Sequence, residues 1–162
     1  MIPGLTFENY DLAIFDRDGV VNLPPKGGAR YILAPEDLVL NKLIIQLILE
    51  LQENGVRTCV ATNQQCVGKG LISFSQLARI HDSINFQIGE IGGSPLDFFT
   101  CVHLVEDKCK CRKPKPGLLI SAMNSFGVTP DRTFFIGDQD SDKIAAESAK
   151  VDFFFFDGIV LK

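Results

Sequence analysis

The sequence predicts an α/β fold: a parallel sheet in the Rossmann-like, three-layer arrangement, with helices on both faces. Three observations carry that expectation. Short apolar runs rich in β-branched and aromatic residues alternate with longer amphipathic ones along almost all of the 162 residues. Glycines and other turn residues punctuate the passages between them. Three of the apolar runs also end abruptly in polar clusters, at Asp16-Arg17-Asp18, Thr62-Asn63-Gln64 and Gly137-Asp138. In open α/β sheets ligands bind beyond the carboxyl ends of the strands, which is where such clusters would converge.

The first strand is residues 10–15, an apolar run cut off at Asp16. Residues 38–52 carry dense aliphatics and predict a helix, with Gly55 as its stop signal. Residues 56–61 form the second strand and complete a β-α-β unit. The alternation continues with a helix over 75–88, a strand over 98–103 and a helix over 116–126 closed by Gly127. A strand over 133–136, a helix over 141–150 and a last strand over 151–156 finish the pattern. No internal repeat is visible, and the loops at 23–28 and 89–95 are too short for linkers, so a single domain over 1–162 is expected. The gaps at 22–38 and 70–98 leave no room for a separate cap domain.

Composition narrows the function. The chain is 46% hydrophobic and 22% charged, with 16 basic against 20 acidic residues, a net charge of −4 and a pI near 5.1. The basic residues form no long run, which argues against nucleic acid as a partner. No apolar stretch approaches the roughly 18 residues of a membrane helix, and the first dozen residues lack a basic segment followed by an apolar one. A cytoplasmic monomer acting on a small molecule is the expectation.

Asp16 and Asp18 lie two apart at a strand end, and Gly19 permits the tight turn that aims both into one pocket. Packed acids call for a cation. Asp138, past another apolar run, supplies a third carboxylate, and hard oxygen ligands left partly open to water suit Mg²⁺. Read as bare residues, Asp16, Asp18 and Asp138 are the metal carboxylates, and the cation keeps Asp16 ionised as a nucleophile toward phosphorus. Asp-x-Asp-Gly alone is common in surface turns. Phosphoryl transfer also needs donors for three oxygens, which Thr62, Asn63 and Lys113 can supply, and it is the combination that is specific.

Cys101, His103, Cys109 and Cys111 fall within 11 residues and hold three of the five cysteines and one of the two histidines. Three thiolates and an imidazole are a complete set for a closed tetrahedral Zn²⁺ site. With no coordination position left for water, the metal is structural and pins the loop carrying Arg112 and Lys113. Cys59 reads as core, Cys66 as a residue able to line the pocket, and His81 as a surface or internally satisfied histidine.

Taken together, Asp16-Arg17-Asp18-Gly19-Val20-Val21-Asn22, Thr62-Asn63-Gln64, Lys113 and Gly137-Asp138 through Asp142 make the chain resemble the haloacid dehalogenase-like phosphatases. Cys101-Val-His103 and Cys109-Lys-Cys111-Arg-Lys-Pro-Lys-Pro-Gly117 narrow the likeness to the cap-less, zinc-containing branch of heptose-bisphosphate and histidinol-phosphate phosphatases. Tyr31, Pro35-Glu36-Asp37 and Gly68-Lys69-Gly70-Leu71 lean toward the heptose side, and so toward heptose supply for lipopolysaccharide. The resemblance implies that Asp16 forms an aspartyl phosphate while Asp18 acts as acid and then base. It further implies Mg²⁺ on Asp16, the Asp18 backbone carbonyl and Asp138. Thr62 and Lys113 would bind the phosphoryl group, and Arg112 the distal part of a phosphorylated sugar; Lys26 and Arg30 are further candidates for a second phosphate. The chain departs from the family pattern at Gln139 in place of Lys, at Gln65-Cys66 in place of Ser-Gly, and at Asn41-Lys42 in place of Pro-Gly. Two other readings compete: a histidinol-phosphate phosphatase, and a zinc-stapled binding domain without turnover.

Overall fold

A computed structural model describes residues 6–158; the ends of the expected 1–162 domain, residues 1–5 and 159–162, lie outside the described residues. Five parallel strands form one sheet: β1 (Leu12–Phe15), β2 (Arg57–Asn63), β3 (Asp97–Cys101), β4 (Thr133–Gly137) and β5 (Asp152–Phe155), in the order β3-β2-β1-β4-β5. Helices α1 (Lys42–Glu53), α2 (Gln65–Gly68), α3 (Phe74–Gly89), α4 (Gly117–Phe126) and α5 (Asp140–Ala149) connect them.

Successive strand residues face opposite sides of a sheet, and β1 sorts its four residues accordingly. Ala13 and Phe15 join one buried cluster with Val60, Phe134, Ile136 and the inner faces of α1 and α3. Leu12 and Ile14 join the other, with Cys59, Ala61, Phe135 and the inner faces of α4 and α5. Central strands buried on both faces read as continuous apolar runs, which is why β1, β2 and β4 stand out in the sequence. Register then aligns the polar ends. Phe15 lies opposite Val60 on one side and Ile136 on the other, so Asp16, Thr62 and Asp138 emerge together at the carboxyl edge.

Two predicted boundaries are corrected. The first helix starts at Lys42 rather than 38: Asn41 caps it, its side chain accepting from Leu43 N at 3.2 Å. Leu38, Val39 and Leu40 keep helical spacing but run extended, because Leu40 bridges to Asn22 and the Leu23 N–H donates to the Val39 carbonyl at 2.8 Å. The third strand ends at Cys101 rather than 103, where the chain turns so that His103 faces Cys101. Helix α3 starts with a reciprocal cap, Gln76 N donating to Ser73 Oγ and Ser73 N to Gln76 Oε1. Among the described residues, neither the stretch 16–41 nor the stretch 64–96 holds a separate cap domain, and no helix is long and apolar enough to cross a membrane.

Candidate active site

Asp16 continues directly from β1, with its backbone N–H donating to the Ile136 carbonyl at 2.9 Å. Its carboxylate accepts from Lys113 Nζ at 2.7 Å. The same ammonium donates to the Ala61 carbonyl at 2.9 Å and stands 2.7 Å from Asp142 Oδ1, an ion pair outside hydrogen-bond alignment. Burial pushes Asp16 up, to about 7, with the Asp142 and Asp18 charges adding to the rise and Lys113 opposing it. Burial also raises Asp138 above the usual carboxylate range.

Oxygens of Asp16, Asp138 and Asp142 lie within 4.8 Å of one another. Asp138 Oδ1 is buried without a hydrogen-bond partner among the described residues, while Asp142 Oδ1 has only the Lys113 ammonium beside it. Buried orphan carboxylate oxygens are rare unless something else meets them, and a hard divalent cation fits this donor set. The glycines next to the cluster are required by space. A Cβ on Gly19, whose φ is +90°, would sit 2.2 Å from Asp138 Oδ2, and one on Gly137 would sit 2.4 Å from the Asp142 Cβ. Gln139, where the resemblance leads one to expect a lysine, donates to Asp138 Oδ2 at 3.2 Å and leaves the acidic group without that extra charge.

The structure separates Asp18 from this group. Its carboxylate turns away and accepts from Arg17 at 2.9 and 3.0 Å, from Gln64 Nε2 at 2.7 Å and from Asn22 Nδ2 at 3.1 Å. Burial works against its charge, but the Arg17 guanidinium and these donors hold it below the usual range. The Asp18 carboxylate, expected from the bare residues as a metal ligand, thus stands apart from the acid group, with five donor contacts on its two oxygens. Asp142, named from sequence only as the end of the Gly137-Asp138 motif and given no role, joins this group from the first turn of a helix four residues after Asp138.

Thr62 is buried at the end of β2, its Oγ1 accepting from Gln64 Nε2 at 2.9 Å, which leaves its own proton for a ligand. Asn63 was expected to present its amide to phosphate. The structure engages that amide elsewhere: Nδ2 donates to the Lys113 carbonyl and Oδ1 accepts from Lys113 N, both at 3.1 Å. Asn63 thus holds the backbone of Lys113 in a closed two-bond ring across 50 residues of sequence.

Cys101, His103, Cys109 and Cys111 come together beside this lysine. Four of the six separations among their sulfurs and Nδ1 run from 3.3 to 3.7 Å, and all lie within 4.8 Å. A tetrahedron with Zn–S bonds near 2.3 Å and a Zn–N bond near 2.0 Å has edges of about 3.5–3.8 Å, so the four ligand atoms match a zinc site in shape and chemistry. Lys115 Nζ donates to the Lys108 carbonyl at 2.9 Å and also to the Cys109 carbonyl, tightening the loop from inside. Arg112 extends from the same loop, with Nη1 donating to the His103 carbonyl at 3.4 Å.

The remaining residues find definite places. Cys66 does not line the pocket; it is fully buried under α2, and burial raises its thiol. Gln65 turns toward Tyr31, whose hydroxyl accepts from Gln65 Nε2 at 3.1 Å and Lys69 Nζ at 3.2 Å. Arg30 stands over the same ring, and Lys26 is exposed. His81 is half-buried and internally satisfied, its Nε2 facing Arg17 Nη1 and its ring stacked flat on Phe98.

A buried carboxylate at the end of the central strand, flanked by a lysine, a threonine and further acids, defines a phosphoryl-transfer site of the haloacid dehalogenase type. A family model described as HAD-hydrolase-like matches residues 110–156. The D-glycero-beta-D-manno-heptose-1,7-bisphosphate 7-phosphatase of Helicobacter pylori strain 26695 is 34% identical over 147 residues, covering 88% of this chain and 82% of that protein. The Pseudomonas aeruginosa protein of the same name is 34% identical over 137 residues, covering 85% and 75%. Among solved structures, the D,D-heptose 1,7-bisphosphate phosphatase of B. bronchiseptica complexed with magnesium and phosphate superposes with a TM-score of 0.82 at 30% identity, covering 88% of this chain and 78% of that one. The chain belongs to the D-glycero-beta-D-manno-heptose-1,7-bisphosphate 7-phosphatase family of haloacid dehalogenase-like hydrolases.

Proposed function

We propose that this phosphatase hydrolyses D-glycero-D-manno-heptose 1,7-bisphosphate to the 1-phosphate, in the supply of heptose for lipopolysaccharide, with Asp16 as nucleophile. The observation that carries the reading is the placement of Asp16: buried at the strand end, 2.7 Å from Lys113 Nζ and grouped with Asp138 and Asp142. Asp16 Oδ attacks the phosphorus of the 7-phosphate as the bond to the sugar oxygen breaks. Asp18, from its protonated form, gives a proton to that leaving oxygen. Water then attacks the aspartyl phosphate, Asp18 takes its proton, and the P–O bond to Asp16 breaks to release inorganic phosphate.

Asp16 and Asp138, with the Asp18 backbone carbonyl, would hold Mg²⁺, which when bound supplies positive charge against the phosphoryl oxygens. Lys113 and the Thr62 hydroxyl would face the same oxygens, Asn63 keeps Lys113 in register, and Asp142 anchors the ammonium from the other side. Cys101, His103, Cys109 and Cys111 would hold a structural Zn²⁺. Arg112, projecting from that loop, would take the distal part of the sugar bisphosphate.

The test is phosphate release with Mg²⁺ from the α and β anomers of heptose 1,7-bisphosphate and from histidinol phosphate at equal concentration. One heptose anomer ahead by orders of magnitude, with turnover abolished in Asp16→Asn, is the expected result. Preference for histidinol phosphate would transfer the chain to that substrate, and full activity in Asp16→Asn would remove the nucleophile. No release from any phosphate ester would return the chain to a binding role.

A further inference from the structure

Arg17 lies between the two aspartates, and its side chain is fully buried. A guanidinium is costly to bury, so what it touches should explain its presence. Its Nε and Nη2 donate to Asp18 Oδ1 at 3.2 and 2.9 Å, and Nη2 reaches Asp18 Oδ2 at 3.0 Å. Nη1 remains, and it faces His81 Nε2 at 3.4 Å. Arginine has only donors, so this imidazole nitrogen is the acceptor, and the ring is neutral with its proton on Nδ1. Burial and the Arg17 charge favour that form, holding the His81 pKa down at about 3. The imidazole lies flat on Phe98, with ring centroids 3.9 Å apart and planes 5° apart.

These contacts form a chain of restraints running from the sheet to the site. Phe98 is fixed in β3, His81 cannot turn without leaving Phe98, and the ring nitrogen selects one orientation of the guanidinium. The guanidinium in turn grips the carboxylate at two oxygens, which fixes its plane as well as its position. A carboxylate on a turn would otherwise rotate broadly about its last torsion. Proton transfer is sensitive to such freedom, since a misplacement of about 1 Å can cost about a hundredfold.

We infer that Arg17, backed by His81 stacked on Phe98, is a positioning residue that sets the plane of the Asp18 carboxylate for proton delivery to the leaving oxygen. The inference rests on the reading of Asp18 as the proton-transfer group, acting from its minor, protonated form because the Arg17 charge favours the carboxylate.

The experiment compares two kinds of ester on the full-length, metal-loaded protein. Heptose 1,7-bisphosphate, or histidinol phosphate should that be the substrate, has an alkoxide leaving group that needs a proton. p-Nitrophenyl phosphate releases a phenolate that does not. The ratio of kcat/KM between them reports formation of the aspartyl phosphate and so isolates the proton given to the leaving oxygen. His81→Phe keeps a ring on Phe98 but removes the acceptor, whereas His81→Gln offers a carbonyl oxygen near the position of Nε2. In His81→Phe the alkyl-to-aryl ratio should fall by about tenfold or more, and in His81→Gln most of it should return. A wild-type ratio in His81→Phe, or an equal fall for both esters, overturns the inference. Asp18→Asn separates the two ideas: a ratio unchanged in that variant removes Asp18 as the acid. A ratio that collapses in Asp18→Asn but not in His81→Phe leaves the mechanism standing and removes only the buttress.

Discussion

The Lys113 ammonium donates to Asp16 and the Ala61 carbonyl and forms an ion pair with Asp142. Arg17 is matched in a similar way, with Asp18 as its charge partner. Removing one member of such a pair leaves the other charge stranded. Asp18→Asn should therefore destabilise the fold as well as stop turnover; with the Asp18 side chain 35% exposed, a cost of about 2 kcal/mol is expected, below that of a fully buried pair. Urea denaturation of the variant beside the wild type measures it. His81 makes a second prediction, for acid. Its folded pKa is depressed from 6.5 to about 3 by burial and by Arg17, partly offset by Asp18, so between those values the unfolded chain binds the proton more readily. The stabilisation from a neutral His81 is complete above pH 6.5 and is lost as pH falls toward 3. Urea midpoints at pH 7 and pH 5 should consequently differ more in the wild type than in His81→Gln.

Two elements meet to build the site: the turn and short helix after β2, and the cysteine loop after β3. Gln64 N donates to the Cys101 carbonyl at 2.6 Å, and a Cβ on Gly68 would sit 2.4 Å from the Val102 carbonyl oxygen. The Asn63 amide completes the join by bonding both ends of the Lys113 peptide unit. Asn63→Ala should lower kcat/KM by about tenfold, because the lysine loses its backbone anchor, while the stability loss stays within about 1–2 kcal/mol; steady-state kinetics and thermal unfolding test both halves. What was legible in the sequence follows from the range of each signal. The alternating strands and helices, and the cysteines and histidine packed within 11 residues, are local patterns, and the structure brings each together. The bonds of the Asn63 amide to Lys113 could not be read because the partner lies 50 residues away, and the start of α1 because a tertiary pairing of Leu38–Leu40 with residues 22 and 23 overrides their helical pattern. Asp18 was drawn into the acid group by spacing alone, since nothing local announces that Arg17 folds back onto it.

Across the whole molecule, the two hydrophobic clusters lie on the faces of the sheet, and the cysteine loop hangs from its carboxyl edge. Only Cys101 among the four ligands belongs to the buried core; Cys109 and Cys111 pack against it from outside. Zinc removal should thus loosen the loop without dissolving the sheet. Chelation followed by return of Mg²⁺ should abolish phosphate release, preserve most of the far-UV circular dichroism, and open Lys108 and Lys110 to trypsin. Loss of the dichroism together with activity would mean that the metal is needed for the fold itself.

The order β3-β2-β1-β4-β5 also has a meaning in time. β1 lies at the middle of the sheet, yet its partner β4 begins 121 residues after β1 does. Contacts so distant along the chain close late, because the loop entropy must be overcome before the pairing rewards it. The first three strands can assemble Thr62 and Asn63 beside Asp16, but Asp138 and Asp142 join only when β4 docks. During refolding, recovery of phosphate release should lag behind recovery of helix and strand signals. A nascent chain therefore carries Asp16 from the start and lacks the acids that complete its site until β4 and the turn after it have been made.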